Sequence, residues 1–151
     1  MKAVIQRVSH AGVSVDGEVK GAVGRGMLIL LGIHGDDTER DAEKLAAKVS
    51  SLRISTDEND KMNLSLADVG GGVLVISNFT LYGDCSHGRR PSFVKAARPE
   101  KAEPLYEYFC ERMKHEGVAD VRKGVFGADM KVELLNDGPV TLVVDTEELA
   151  N

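Results

Sequence analysis

The sequence predicts an α/β fold: a single domain with a largely antiparallel, curved, barrel-like β-sheet and two flanking helices. Three observations carry this. Short runs rich in Val, Ile and Leu recur along the chain, punctuated by glycine and Asx residues, which is the pattern of strands. Two segments instead repeat their apolar positions at helical spacing. The chain of 151 residues also suits one core, large enough to bury about two thirds of the surface that the unfolded chain exposes. The domain is expected over 1–145, followed by an acidic tail, 146–151, that frays.

Ala3-Val4-Ile5-Gln6-Arg7-Val8 and Gly12-Val13-Ser14-Val15 read as strands, and Asp16-Gly17 before Glu18-Val19 is a two-residue hairpin signal, so the chain is expected to open as a β-meander. Gly21, Gly24 and Gly26 then precede Met27 to Leu31. This apolar run does not alternate, which suits a central strand covered on both faces. Thr38, placed before Asp41, starts a helix that carries Ala42, Leu45, Ala46, Val49 and Leu52 on one face. Arg53 to Ser55 reads as a short strand ended by the turn Asp57-Glu58-Asn59-Asp60, and the alternation of Lys61 to Leu66 reads as another, closed by Gly70-Gly71-Gly72. Val73 to Leu81 is expected as one strand that passes from pure hydrocarbon to a polar, aromatic end, as strands lining a cleft do. Tyr82 to Arg98 is a long loop, and ordered loops of that length tend to be functional. Pro99 and Pro104 bracket the start of a second helix with the stripe Ala102, Leu105, Tyr106, Phe109 and Met113, ending at Gly117. Val118 to Val121, Met130 to Leu135 and Thr141 to Val144 supply the remaining strands.

The two cysteines, Cys85 and Cys110, form no CxxC or Cys/His pattern, so neither zinc nor a redox pair is indicated and a reducing cytosol fits. No continuous apolar leader opens the chain, and Met27 to Ile33 is too short to span a bilayer. A soluble, cytoplasmic protein is expected. His10, His34, His87 and His115 show no metal-ligand spacing, and Ser77 and Thr80 are hydroxyls without an evident base. The net charge of −5 argues against a nucleic-acid partner, but His87 to Lys101 gathers Arg89, Arg90, Lys95, Arg98 and Lys101 against the single acid Glu100. An ordinary solvated surface is the competing reading of that cluster.

Between the last two strands stands Asn136-Asp137-Gly138-Pro139-Val140-Thr141. Asn-Asp-Gly is turn chemistry. Pro139 donates no hydrogen bond and restricts Gly138, so the dipeptide carbonyls are expected to point outward from a rigid elbow flanked by two strands. An X-Pro bond can be trans, or cis at a penalty of about 0.5–1 kcal/mol.

Ser77-Asn78-Phe79-Thr80-Leu81 together with this elbow resembles the D-aminoacyl-tRNA deacylase family. The resemblance extends to Met1 to Val8, Lys61-Met62-Asn63-Leu64-Ser65, Gly88-Arg89-Arg90-Pro91-Ser92-Phe93 and Phe126-Gly127-Ala128-Asp129-Met130, and so covers nearly the whole chain. It implies a homodimeric hydrolase that cleaves the ester between a D-amino acid, or misplaced glycine, and the 3′ end of tRNA, with no metal or organic cofactor and no membrane. In such a family the Gly-Pro bond is cis and enters the pocket of the other subunit, which Gly138 and Pro139 would do here, with Asn136 in the same motif. Main-chain amides near Asn78, Phe79 and Thr80, after Ser77, would stabilise the oxyanion, with water or the ribose 2′-hydroxyl assisting. Phe79 would wall the pocket for the terminal adenosine, Met130 would stand behind Pro139, and Arg7 would steady the dipeptide. Plain core packing competes for Phe79 and Met130, and a surface ion pair competes for Arg7. The family usually carries Gln where this chain has Asn78, one methylene shorter. Two rival functions stand beside this reading: a non-catalytic nucleic-acid-binding module using the basic loop, and the same hydrolysis with Thr80 as covalent nucleophile.

Overall fold

The computed structural model describes residues 1–150. Asp16 and Gly17, both at positive φ, turn β1 (Lys2–Val15) into β2 (Glu18–Val23). The β1 partners then run in one register from Ala11↔Val23 through Val8↔Gly26 to Lys2↔Gly32, so β2 and β3 (Gly26–Gly32) both follow β1. The opening is therefore one long bent hairpin in place of the expected meander, because Ser9 and His10 contain no turn chemistry and β1 bends without breaking. The other edge of β1 carries β8 (Lys131–Asp145).

β3 pairs in parallel with β6 (Gly72–Ser77), and β6 in parallel with β7 (Val121–Lys123), which makes the sheet mixed. It curls until Gly21 of β2 lies against the Lys123 carbonyl, where a Cβ would stand 2.7 Å away. The small hairpin β4 (Ser55–Thr56) and β5 (Met62–Leu64) stands apart.

β3 and β6 serve two cores, as their unbroken apolar runs predict. Met27, Ile29, Leu31, Val73 and Val75 face the helices, and Leu28, Leu74 and Ile76 face the inside of the curl with Val8, Ala11 and Val13. Helix α1 (Glu39–Ser51) starts where the Thr38 N–H donates to the Asp41 carboxylate at 2.8 Å. α3 (Pro99–His115) has Pro99 in its first turn, and Pro104 lies inside the helix. It crosses α1 with the Tyr108 hydroxyl donating to Glu43 at 2.9 Å.

Four further expectations change. Ser65 caps a third, short helix, α2 (Leu66–Val69), so the strand expected to Leu66 stops at Leu64. The strand expected to Leu81 stops at Ser77 and continues as a 3₁₀ turn, Phe79–Tyr82. The strand expected over Val118 to Val121 lies at Val121–Lys123. The tail is tied where it leaves β8: Thr146 is buried, its N–H donates to the Met1 carbonyl at 2.9 Å, and its hydroxyl accepts from the Met1 amine at 2.9 Å. Asn151 lies outside the described residues.

Candidate active site

β3 and β6 end side by side, and the last sheet hydrogen bond there runs from the Asn78 N–H to the Leu31 carbonyl at 2.8 Å. Beyond it the chain folds into the 3₁₀ turn, whose first amides, those of Phe79 and Thr80, have no acceptor within the chain among the described residues. This corrects the expected set: the Asn78 amide is committed to the sheet, and only its two successors are available.

A cavity of about 620 Å³ opens at these strand ends, the place where α/β sheets commonly present their sites. Leu31, Ile76, Ser77, Asn78 and Phe79 form one wall, while Ala97, Pro99, Ala102 and Tyr106 bring the start of α3 as another. Phe126 to Met130 close the third side. Tyr106 is buried and fixed by its hydroxyl, which donates to the Val75 carbonyl at 2.7 Å. Phe79 is 58% exposed, so core packing does not account for it; it meets Phe93 edge to face at 5.2 Å. Met130 is half-buried in the cavity wall against Gly124, in a cavity that Pro139 of the same chain does not line.

Among the described residues the Ser77 hydroxyl has no histidine, lysine or carboxylate partner, and the Thr80 hydroxyl donates to the Asn78 side-chain oxygen. Thr80 does not line the cavity. No group of three or more His, Cys, Asp or Glu residues suited to a metal occurs among the described residues.

The elbow is built differently from the expected turn between two strands. β8 is one continuous strand, and the ladder with β1 passes from Gln6↔Thr141 to Val8↔Asn136, leaving Asp137 to Val140 to bulge opposite Arg7. Side chains replace the missing ladder bonds. The Asn136 amide donates to the Val140 carbonyl at 3.3 Å and to the Thr141 hydroxyl at 3.0 Å, and its oxygen accepts from the Val140 N–H at 2.8 Å. Asn136 is thus consumed in shaping the bulge. The Arg7 Nε donates to the Asp137 carbonyl at 2.8 Å, and its Nη1 donates to the Ile54 carbonyl at 2.8 Å and to the Thr56 hydroxyl at 3.2 Å. Its partners are carbonyls and a hydroxyl, so Arg7 is not the surface ion pair that competed with the positioning role. The Gly138-Pro139 bond is cis, both residues are exposed, and their carbonyls meet no donor of the chain among the described residues. Neither they nor Asn136 and Arg7 line the cavity.

Arg89 and Arg90 sit exposed at the tip of the long loop, after Gly88 at positive φ. Its base is pinned by Asp84 and Ser92, which exchange backbone bonds of 2.7 and 2.9 Å, and by the Gly35 N–H on the Lys95 carbonyl at 2.9 Å. Two bonds from Ser86 hold the Asp84 carboxyl below its usual range.

The family described as D-Tyr-tRNA(Tyr) deacylase matches residues 4–145. The chain belongs to that family. The D-aminoacyl-tRNA deacylase of Koribacter versatilis (strain Ellin345) is 55% identical over 148 residues, covering 98% of this chain and 99% of the relative. That of Thermus aquaticus is 57% identical over 148 residues, 98% and 97% of the two chains. Among solved structures, the c-Myc DNA Unwinding Element Binding Protein superposes with a TM-score of 0.90 at 40% identity, over 96% of this chain and 98% of that one. A probable eukaryotic D-amino acid tRNA deacylase shares the fold, with a TM-score of 0.81 at 17% identity over 95% and 97%.

For a member of the D-Tyr-tRNA(Tyr) deacylase family, the Ser77 hydroxyl and the Asp129 carboxylate both line the cavity, but no hydrogen bond joins them among the described residues and Asp129 is engaged by Lys131 at 3.3 Å, which leaves the unbonded main-chain amides of the 3₁₀ turn as the candidates for holding an oxyanion. Sequence reasoning missed two parts of the site. The α3 wall was read only as a core stripe, although the small Ala97 and Ala102 beside Tyr106 were a signal of open volume. The Ile54 and Thr56 contacts to Arg7 had no sequence signal, since they join segments far apart in the chain.

Proposed function

We propose that the protein hydrolyses the ester of D-aminoacyl-tRNA, and of glycine misplaced on tRNA, as a cytoplasmic homodimer that rejects L-aminoacyl-tRNA. The observation that carries this is the division of parts. One chain holds a cavity edged by Ser77 to Phe79, with the free Phe79 and Thr80 amides in the turn that starts there, and on a different part of its surface a bulge whose Gly138 and Pro139 carbonyls are unbonded and line no cavity of their own. A second copy completes the site by inserting Gly138 and Pro139. Their carbonyls accept hydrogen bonds from the substrate ammonium and occupy the volume an L side chain needs, a selection by exclusion. Glycine, without a side chain, passes.

Water adds to the ester carbonyl carbon, and the charge that develops on its oxygen falls to the Phe79 and Thr80 N–H groups. The carbon–oxygen bond to the 3′ position then breaks, the 3′ oxygen takes the proton that water gave up, and the neighbouring 2′-hydroxyl assists that transfer. Positioning of a reactive ester supplies the rest. The exposed aromatic ring of Phe79 suits the terminal adenosine, and Arg89 and Arg90 suit the phosphates behind it.

The test is deacylation of D-Tyr-tRNA, Gly-tRNA and L-Tyr-tRNA in parallel. Hydrolysis of the first two with the third spared is expected. A role confined to nucleic-acid binding, suggested by the name of the DNA-unwinding-element binding neighbour and by the basic loop, would leave all three intact.

A further inference from the structure

Arg7 cannot steady the bulge unless something steadies Arg7. Its guanidinium lies between three partners from two places. Asp137 offers a carbonyl on the bulge side, and Ile54 and Thr56 offer a carbonyl and a hydroxyl from the small hairpin. That hairpin belongs to no wall of the cavity and to no part of the large sheet. Ile54 and Ser55 are buried at its base. Its tip is closed by the Asp57 N–H on the Lys61 carbonyl at 2.8 Å and by the Asp57 carboxylate, which accepts from the Asn59 and Lys61 amides at 2.8 and 3.0 Å. It is a small, self-closed unit set against the guanidinium.

We propose that the β4–β5 hairpin is a positioning element for stereochemical selection, with Thr56 as its specific contact: it fixes the Arg7 guanidinium and through it the Asp137 to Val140 bulge. This rests on the deacylase reading above. The geometry leaves little slack, since an ideal Cβ on Gly138 would stand 3.1 Å from Arg7 Nη2. The guanidinium is thus packed against Gly138, and its Nε bond to the Asp137 carbonyl at 2.8 Å couples its position to the residue that leads into the dipeptide. Thr56 is the one side chain in the anchor, because Ile54 contributes main chain only, so it is the part that substitution can remove. It touches no substrate in this scheme and acts only through Arg7.

Thr56→Val keeps the shape and removes the acceptor, while Thr56→Ser keeps the acceptor. In T56V the ratio of kcat/KM for D-Tyr-tRNA to that for L-Tyr-tRNA should fall about tenfold, the scale of one lost hydrogen bond to a charged donor. T56S should hold the wild-type ratio. The Arg7 Nε–H, followed by NMR hydrogen exchange, should exchange about tenfold faster in T56V than in T56S, with thermal unfolding of the two variants alike. This readout needs no substrate. An unchanged ratio in T56V beside a selective wild type overturns the anchoring role alone, as does faster Arg7 exchange with no loss of selectivity. A wild type that spares D-Tyr-tRNA overturns the deacylase reading itself.

Discussion

Thr80 sits at the edge of the chemistry with its proton already directed to the Asn78 side-chain oxygen. A hydroxyl engaged in this way, with no base beside it, has no route to a covalent ester, whereas its main-chain N–H is free to serve an oxyanion. Thr80→Val should accordingly retain deacylation within about tenfold of wild type, and a loss of about four or more orders of magnitude would restore the nucleophile reading. The shorter Asn78 has a consequence visible here, since its oxygen closes a local contact with Thr80 instead of reaching across the cavity. On the core face of α3, burial pushes the Cys110 thiol up to about 12, against about 8.5 for an unhindered cysteine. The folded chain thus keeps a proton that the unfolded chain releases. The corresponding stability is full below about pH 8.5 and is lost as pH rises toward 12. Burial also raises Tyr82 and Tyr106, but their unfolded counterparts begin to titrate only near pH 10 or so. Cys110→Ala should therefore show a smaller decline in urea midpoint between about pH 8.5 and 10 than the wild type. Equal declines would mean that Cys110 does not contribute.

The elements legible in the sequence are those whose local chemistry and long-range packing agree. α1 has both its cap and its stripe, and β3 and β6 carry unbroken apolar runs, Met27 to Leu31 and Val73 to Ile76, because both faces are covered. β8 was misread because the two signals conflict. Asn136-Asp137-Gly138-Pro139 is turn chemistry, yet pairing with β1 on both sides of it carries the strand straight through. Phe79 to Leu81 was misread for the reverse reason: its aromatic and β-branched residues suit a strand, but the sheet neighbour Leu31 ends there. The Tyr82 to Arg98 loop was recognised as a functional candidate by its length and charge, and the pinned base leaves Arg89 and Arg90 presented at an exposed tip. Replacing both by Gln should raise KM for tRNA and lower the slope of log KM against log salt by about one to two, with the preference for D over L unchanged. An unaltered slope would return the pair to plain surface.

The molecule as a whole separates what its sequence places in two motifs: the cavity is edged by Ser77 to Phe79, and the bulge lies elsewhere on the surface of the same chain. Subunit mixing tests that arrangement. Gly138→Ala disables the bulge, because at φ +144 its Cβ would meet Val140 at 2.9 Å, and Ala128→Phe fills the cavity. Each variant alone should be inactive. An equal mixture allowed to exchange subunits should regain about a quarter of wild-type activity, since half of randomly paired dimers are mixed and each holds one intact site. No recovery would mean that bulge and cavity do not meet across subunits. The bulge has one more property, visible in the ladder that surrounds it. From Gln6 to His10 β1 advances four residues while β8, from Leu135 to Thr141, advances six. The excess is even, so Val132 and Leu134 before it and Leu142 and Val144 after it all turn toward the core, with Lys131, Glu133 and Thr141 and the exposed Leu135 and Val143 outside. A change of length by an even number keeps that phase, and an odd one inverts every side chain of half the strand. Evolution can therefore adjust the reach of this gate only in pairs of residues, and within that rule can reshape it without touching the foundations on either side.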